Sequence, residues 1–265
     1  TITYETYVAE DFFPHCKPRV KSWKRLDSLW RVHVKSVLGK KKLSEITRAD
    51  VKRLQTAVVE KGLSNASANH VVRFIRSSLS VAVLFGMLER NVASKIPMLH
   101  EPLRERDLSD EELGRLLYIL ETDRNRAVCQ VILVLMGTGL RLQEALGSTW
   151  RDVDLDRRIW MVPGTRTKNR KAHSIPINDA TFEVLNGLPT KGTDGPLFVS
   201  SRTGERFTTI SKQFERIVKA AKIAGFTIHS ARHWFASALI SSGKSLYDAQ
   251  RLLNHSSPVV TQRYA

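Results

Sequence analysis

Residues 97–107, PMLHEPLRERD, constrain the fold of this chain more than any other stretch, because they separate two regions of different pattern. The segment holds two prolines and charges of both signs, which disfavours helix and strand alike, so it reads as an interdomain linker. Before it, apolar residues recur at helical spacing without any alternating run. After it, helical stretches are interrupted by short alternating ones. The total of 265 residues is enough for one large domain or two ordinary ones, and 42% apolar with 26% charged residues fits a globular protein with a real core.

The first region is expected to be all-helical. A helix begins at Ser22 and carries Trp23, Leu26 and Trp30 towards Gly39. Thr47 and Asp50 form a capping box ahead of Val51, Leu54 and Val58, with Gly62 as the stop. Ser64 caps a longer helix through Val71, Val72, Ile75, Leu79 and Val83. In the second region Ser109 with Glu112 opens a helix, residues 125–136 form a buried one ending in Gly137-Thr138-Gly139, and a short one starts at Leu142. Residues 158–162 and 172–177 read as a hairpin joined by the polar turn Thr165–Arg170, and residues 197–199 as a third strand. Helices over about 210–224, 230–241 and 246–253 follow. The expected fold is therefore mainly α: an all-helical domain over 1–99 and an α+β domain over 104–265 with a small antiparallel sheet.

The formal net charge is +16. Residues 1–100 hold 18 Lys and Arg against 8 Asp and Glu, and the remainder 24 against 18, so both regions are basic. Such an excess suits a polyanion, since each phosphate contact releases a counterion. In the first region Lys40, Lys41, Lys42, Arg73 and Arg76 are the candidate DNA contacts, with ordinary solvated helix faces as the plain alternative. The two cysteines, Cys16 and Cys129, are far apart and belong to no CxxC or Cys/His cluster, so reduced thiols and no structural zinc are expected. No apolar run reaches spanning length and no signal peptide is visible, so no membrane partner is expected.

Six residues of the second region make one chemistry available: Arg141, Lys168, His229, Arg232, His255 and Tyr264. Two arginines can hold a phosphate, a lysine and two histidines can move protons, and a tyrosine can attack phosphorus. Taken singly, each has a plain structural explanation. Arg141 could pair with Glu144, Lys168 could be a solvated turn lysine, and His229 a helix cap. Arg232 could be a surface charge, His255 a C-cap residue, and Tyr264 is one of five tyrosines.

The sequence around each of them narrows the choice. Thr138-Gly139-Leu140-Arg141-Leu142-Gln143-Glu144-Ala145-Leu146 resembles the TGLRxxEL box of the tyrosine recombinase (phage integrase) family. His229-Ser230-Ala231-Arg232-His233 resembles its HxLRH box with alanine for leucine, residues 252–257 resemble LLGHSS, and residues 261–264 resemble the start of TxxYxH. Lys168 stands eight residues before Pro176, the family's usual distance. The helical first region resembles the family's core-binding domain, so the likeness runs over nearly the whole chain, with its motifs in order.

The resemblance implies a DNA breaking–rejoining fold, with a SAM-like helical domain ahead of the catalytic one. The activity it implies is site-specific strand exchange through a 3′-phosphotyrosine, for integration or excision of a phage or mobile element, without metal, ATP or other cofactor. Arg141 and Arg232 would clamp the non-bridging oxygens bidentately and stabilise the pentavalent state. Tyr264 would be the nucleophile and His229 its general base. Lys168 would protonate the leaving 5′ oxygen, and His255 would hydrogen-bond the phosphate or orient the nucleophile. The implied partners are duplex DNA carrying a recombination site, a homotetramer on that DNA with both basic regions facing it, and accessory DNA-bending or excision factors. The implied location is the bacterial or phage-infected cytoplasm, at the nucleoid. A type IB topoisomerase or telomere resolvase, and a DNA-binding protein with a vestigial site, are the competing readings.

Two departures stand out. Asn254 takes the place of the family's glycine before the second histidine, where a left-handed residue is expected. Only Ala265 follows Tyr264, and no arm-binding region precedes the helical one, which reads as either a chain cut at both ends or a minimal version. The turn around Lys168 has no apolar anchor and is expected to be loose without DNA.

Overall fold

The computed structural model describes residues 2–102, 107–167 and 169–254. It divides into two compact units, Thr1–Leu103 and Arg104–Ala265, each with its own apolar cluster.

The first unit is helical. The helices Arg48–Glu60 and Asn65–Leu84 start as the sequence predicts: Thr47 and Asp50 exchange both bonds of a capping box, and the Ser64 hydroxyl accepts from the Ser67 N–H. The helical run before Ser22, from Tyr4 to Cys16, is an addition to the sequence reading. Pro14 lies inside it and cannot donate a backbone hydrogen bond. Just ahead of Pro14 the helix widens over Val8–Phe12, and the Phe13 N–H bonds to the Val8 carbonyl five residues back. This run supplies aromatic anchors. Phe12 meets Phe74 edge-on at 5.6 Å, Tyr4 meets Trp30 edge-on at 5.2 Å, and the Tyr7 hydroxyl donates to the Ser78 carbonyl at 2.6 Å. Fully burying a large apolar side chain contributes roughly 1.5–3 kcal/mol relative to leaving it exposed, so these rings secure the run although its local pattern is weak.

Residues 97–101 are not a free linker. The Asn69 amide donates to the Leu99 carbonyl at 2.9 Å and its oxygen accepts from the Leu99 N–H at 2.8 Å. The Gln55 amide donates to the Pro97 carbonyl at 3.3 Å, and the Asn65 amide to that of His100 at 2.9 Å. Prolines exclude regular structure here, but side-chain amides on the helices supply the partners that the backbone needs.

The second unit is built around the helix Arg126–Thr138, whose residues Val128, Cys129, Val131, Ile132 and Val134 are fully buried. The helices Asp110–Thr122, Asp179–Asn186, Ser211–Ala220 and Ile228–Ser241 pack against it. Ser109 and Glu112 form the expected capping box. The sheet has three antiparallel strands in the order β1 (Val153–Asp154), β2 (Ile159–Val162) and β3 (His173–Pro176). The hairpin register pairs Trp160 with Ile175 and Val162 with His173, which turns Trp160 and Val162 inward and leaves Ile159 and Met161 exposed. The third strand is thus Val153–Asp154 and not residues 197–199. That segment and the residue before it make isolated bridges only, Val199 with Arg206 and Pro196 with Thr149. It is short and apolar because it is buried, and burial alone does not create a ladder.

Candidate active site

Arg141 sits where the core helix ends. Gly139 caps that helix in the left-handed conformation at φ 64°, and a Cβ there would come within 2.4 Å of Phe235 and 2.8 Å of Leu253. Glycine is needed on both counts. Arg141 then leads the short helix Leu142–Leu146. Its guanidinium donates to Glu144 Oε1 at 2.8 Å and its backbone N–H to Oε2 at 3.1 Å. Glu144 is 2% exposed and the Arg141 side chain 31%. The structural and the functional explanations of Arg141 are therefore compatible. A buried carboxylate aims the fork, and four of its five N–H donors are outside that bond.

Arg232 is no surface charge: it is 4% exposed. One terminal nitrogen donates to the Gly139 carbonyl at 2.6 Å, and the other to the Leu253 carbonyl. The planar fork thereby joins three pieces of chain: its own helix, the turn before Arg141, and the residue that precedes Asn254 and His255 in sequence. His229 lies one turn before Arg232 in the first turn of Ile228–Ser241 and is exposed. The cap is not His229 but Thr227, in a capping box with Ser230, while the His229 ring meets that of His233 edge-on at 4.6 Å.

The hairpin turn carries polar anchors in place of the apolar ones it lacks. Arg166 donates to Asp152 and to the Gly147 carbonyl, each at 2.5 Å. Thr167 is 6% exposed, and its hydroxyl bonds to the Gly164 and Lys171 carbonyls. The Asn169 side chain bonds to that of Asn254 at 2.7 Å. The Trp160 indole N–H donates to Ser148, which donates to the Glu144 carbonyl, so strand β2 is tied to the helix that Arg141 leads. Lys168, His255 and Tyr264 lie outside the described residues.

One residue beside the candidate site gave no signal in the sequence. His173, on β3, is half-buried and bonds to Asn254 at 3.0 Å. Burial pushes its pKa below the ordinary value; Glu144 pulls it up, while Arg232 and Arg141 push it further down. The charges of Arg141, Arg232 and Glu144 thus act on one imidazole. Nothing in the sequence signals this, because His173 looks like an ordinary strand residue.

The candidate DNA contacts of the first unit are used unequally. Arg76 donates to the Ala93 carbonyl at 3.1 Å and the Ile96 carbonyl at 2.7 Å. Lys41 pairs with buried Asp50 at 2.8 Å, Arg73 with Glu101 at 2.8 Å, and Lys42 with Glu45 at 3.4 Å. Lys40 is exposed. Among the described residues no group of three or more His, Cys, Asp or Glu could hold a metal ion, and no helix is long and apolar enough to cross a membrane.

The profile of the phage integrase family matches residues 106–265. The chain belongs to the phage integrase family. It is an enzyme of the tyrosine recombinase type. It is 30% identical to the tyrosine recombinase XerA of Pyrococcus furiosus, over 82% of this chain and 76% of that one. It is also 30% identical to XerC of Vibrio atlanticus, over 86% and 76%. In fold it resembles the Tn1549 transposon integrase solved with a circular intermediate DNA, at TM-score 0.84 and 22% identity over 100% of this chain and 95% of that one. It likewise resembles a lambda integrase dimer solved on a core site, at TM-score 0.85 and 19% identity over 99% and 95%.

Proposed function

We propose that this enzyme is a site-specific DNA recombinase that cuts and rejoins duplex DNA through a 3′-phosphotyrosine on Tyr264. The observation that carries the reading is the Arg232 fork. By gripping the Gly139 and Leu253 carbonyls, it brings the segment before Arg141 and the segment before His255 onto one arginine. Arg141 and Arg232 hold the non-bridging oxygens and stabilise the charge that builds on them. His229, one turn from Arg232, takes the tyrosine proton, and Lys168 protonates the 5′ oxygen that leaves. His255 hydrogen-bonds the phosphate. The phosphotyrosine conserves the bond, so a second 5′ hydroxyl can reverse the step on another strand without ATP.

The helical unit over 1–99 serves as a core-type DNA-binding domain and the unit over 104–265 as the catalytic domain, both on the same duplex. Four copies act together, a reading supported by the lambda integrase tetramer solved on a Holliday junction, a chain of similar fold. Integration or excision of a phage or mobile element, in a bacterial cytoplasm, is the finer form of the proposal. The relatives at 30% identity carry Xer names, so the substrate tests this finer form: an integrase recombines sequences from the borders of its own element.

A nicked suicide duplex, carrying a site selected by this protein from a random library, tests the reaction. A covalent adduct mapping to Tyr264, and absent from Tyr264→Phe, is expected. Supercoil relaxation without sequence preference would point to a topoisomerase, and a mobility shift without adduct to a binding protein.

A further inference from the structure

Asn254 follows the helix Leu246–Leu252 and its cap Leu253, with φ at 48°. Glycine would satisfy that backbone equally well, so the contacts of the side chain are separable from the conformation. Those contacts reach the connection between β2 and β3. Asn169 Nδ2–H donates to Asn254 Oδ1 at 2.7 Å, and Asn254 Nδ2–H meets His173 Nδ1 at 3.0 Å, with a longer contact to Asn169 Oδ1 at 3.4 Å. Which way each amide points follows from one backbone group. The Lys171 N–H donates to Asn169 Oδ1 at 3.2 Å, so that atom is the oxygen and the nitrogen of Asn169 faces Asn254. Asn254 must then turn its oxygen to Asn169 and its nitrogen to His173. His173 Nδ1 is left as an acceptor, with the ring proton on Nε2.

We infer that Asn254 is a positioning residue for strand cleavage: its carboxamide clamps the β2–β3 connection and the start of β3, through Asn169 and His173, to the segment gripped by Arg232. The clamp itself consists of Asn169, His173 and Asn254. Its value to the reaction rests on the proposed role of Lys168, which precedes Asn169 in the chain. A proton donor is useful only within hydrogen-bond reach of the leaving oxygen, and small misplacements are costly.

The test compares Asn254→Gly, Asn169→Ala and the double variant on the suicide duplex, with an ordinary or a bridging 5′-phosphorothiolate linkage. Asn254→Gly keeps the left-handed backbone, and Asn169→Ala removes the same contact from the other side. Each single variant is expected to slow adduct formation about tenfold, the size of a coupled hydrogen-bond pair, with DNA affinity unchanged. The double variant should be no slower than the slower single one. The loss should shrink on the phosphorothiolate, whose leaving group needs no proton. Imidazole nitrogen spectra of the DNA-free protein should show His173 as the Nε2–H tautomer in the parent chain, and its pKa should rise in Asn254→Gly. Full rates in both single variants or losses that multiply in the double would overturn the clamp, as would losses that persist on the phosphorothiolate when Lys168→Ala is rescued by it. Lys168→Ala on the same two substrates judges the acid role separately. Failure of the phosphorothiolate to rescue it overturns that role, while the double-variant comparison still decides whether the two asparagines act as one unit.

Discussion

Arg76 in the first unit and Arg232 in the second use the same device for different ends. Each directs two guanidinium nitrogens at two backbone carbonyls: Ala93 and Ile96 for Arg76, Gly139 and Leu253 for Arg232. The Arg76 carbonyls lie three residues apart on one segment, so that fork staples the end of its own unit. The Arg232 carbonyls lie on segments more than a hundred residues apart in sequence, one just before Arg141 and the other just before Asn254. The same chemistry is a local brace in one place and the convergence point of a site in the other. What differs is the distance along the chain between the groups that the fork joins.

Breaking the second fork should have the largest effect. Arg232→Ala leaves two carbonyls without a charged donor and removes the proposed phosphate ligand. Stability should fall by about 3 kcal/mol in urea unfolding, and cleavage by about 10²–10³-fold or more, with much of the DNA affinity kept. Arg232→Lys should recover little of the cleavage, because a point charge cannot replace a fork. An Arg232→Ala chain of parental stability would show that the fork does not brace the site.

Gly139→Ala comes next. It forces a side chain into a left-handed turn and against Phe235 and Leu253, which should cost on the order of 2–3 kcal/mol. Cleavage should fall as well, because Gly139 carries one of the Arg232 acceptors. Unfolding and suicide-substrate assays on the same preparation would show whether the two losses travel together.

Arg76 and Lys40 sharpen the comparison within the first unit. Arg76→Ala should lower stability by about 1–2 kcal/mol and leave the salt dependence of DNA binding unchanged. Lys40→Ala should do the opposite: no change in stability, and a salt slope shallower by about one. Equal effects of the two substitutions on the salt slope would make Arg76 a phosphate contact after all.

The smallest effect concerns pH. Burial, with Arg232 and Arg141, holds His173 below its ordinary pKa of 6.5 against the pull of Glu144. The folded protein therefore favours the neutral ring. That stabilisation is complete above 6.5 and is lost as pH falls through the lower, folded value. Unfolding at a series of pH values should show the stability of the parent chain converging on that of His173→Gln as the medium becomes more acidic.

Much of this was legible in the sequence because it is local. The capping boxes at Thr47 and Ser109 need only residues three apart, and the hairpin and the core helix follow from periodicity and punctuation. Even the left-handed Asn254 could be expected from its place after a helix. The third strand was misplaced because residues 197–199 and Val153–Asp154 are both too short for periodicity to separate burial from pairing. The prolines mark residues 97–101 as irregular, whereas the amides that hold them lie on helices 30 to 42 residues earlier.

By itself the sequence determined which residue types are available, in what order, and the turns and caps that separate them. Those properties depend on neighbours a few residues away. Only the tertiary structure decided that Arg232 is a buried brace, that Glu144 aims Arg141, and that Asn169 and His173 meet Asn254. A hydrogen bond works over about 3 Å of space, and residues 85 positions apart come that close only once the chain between them has packed.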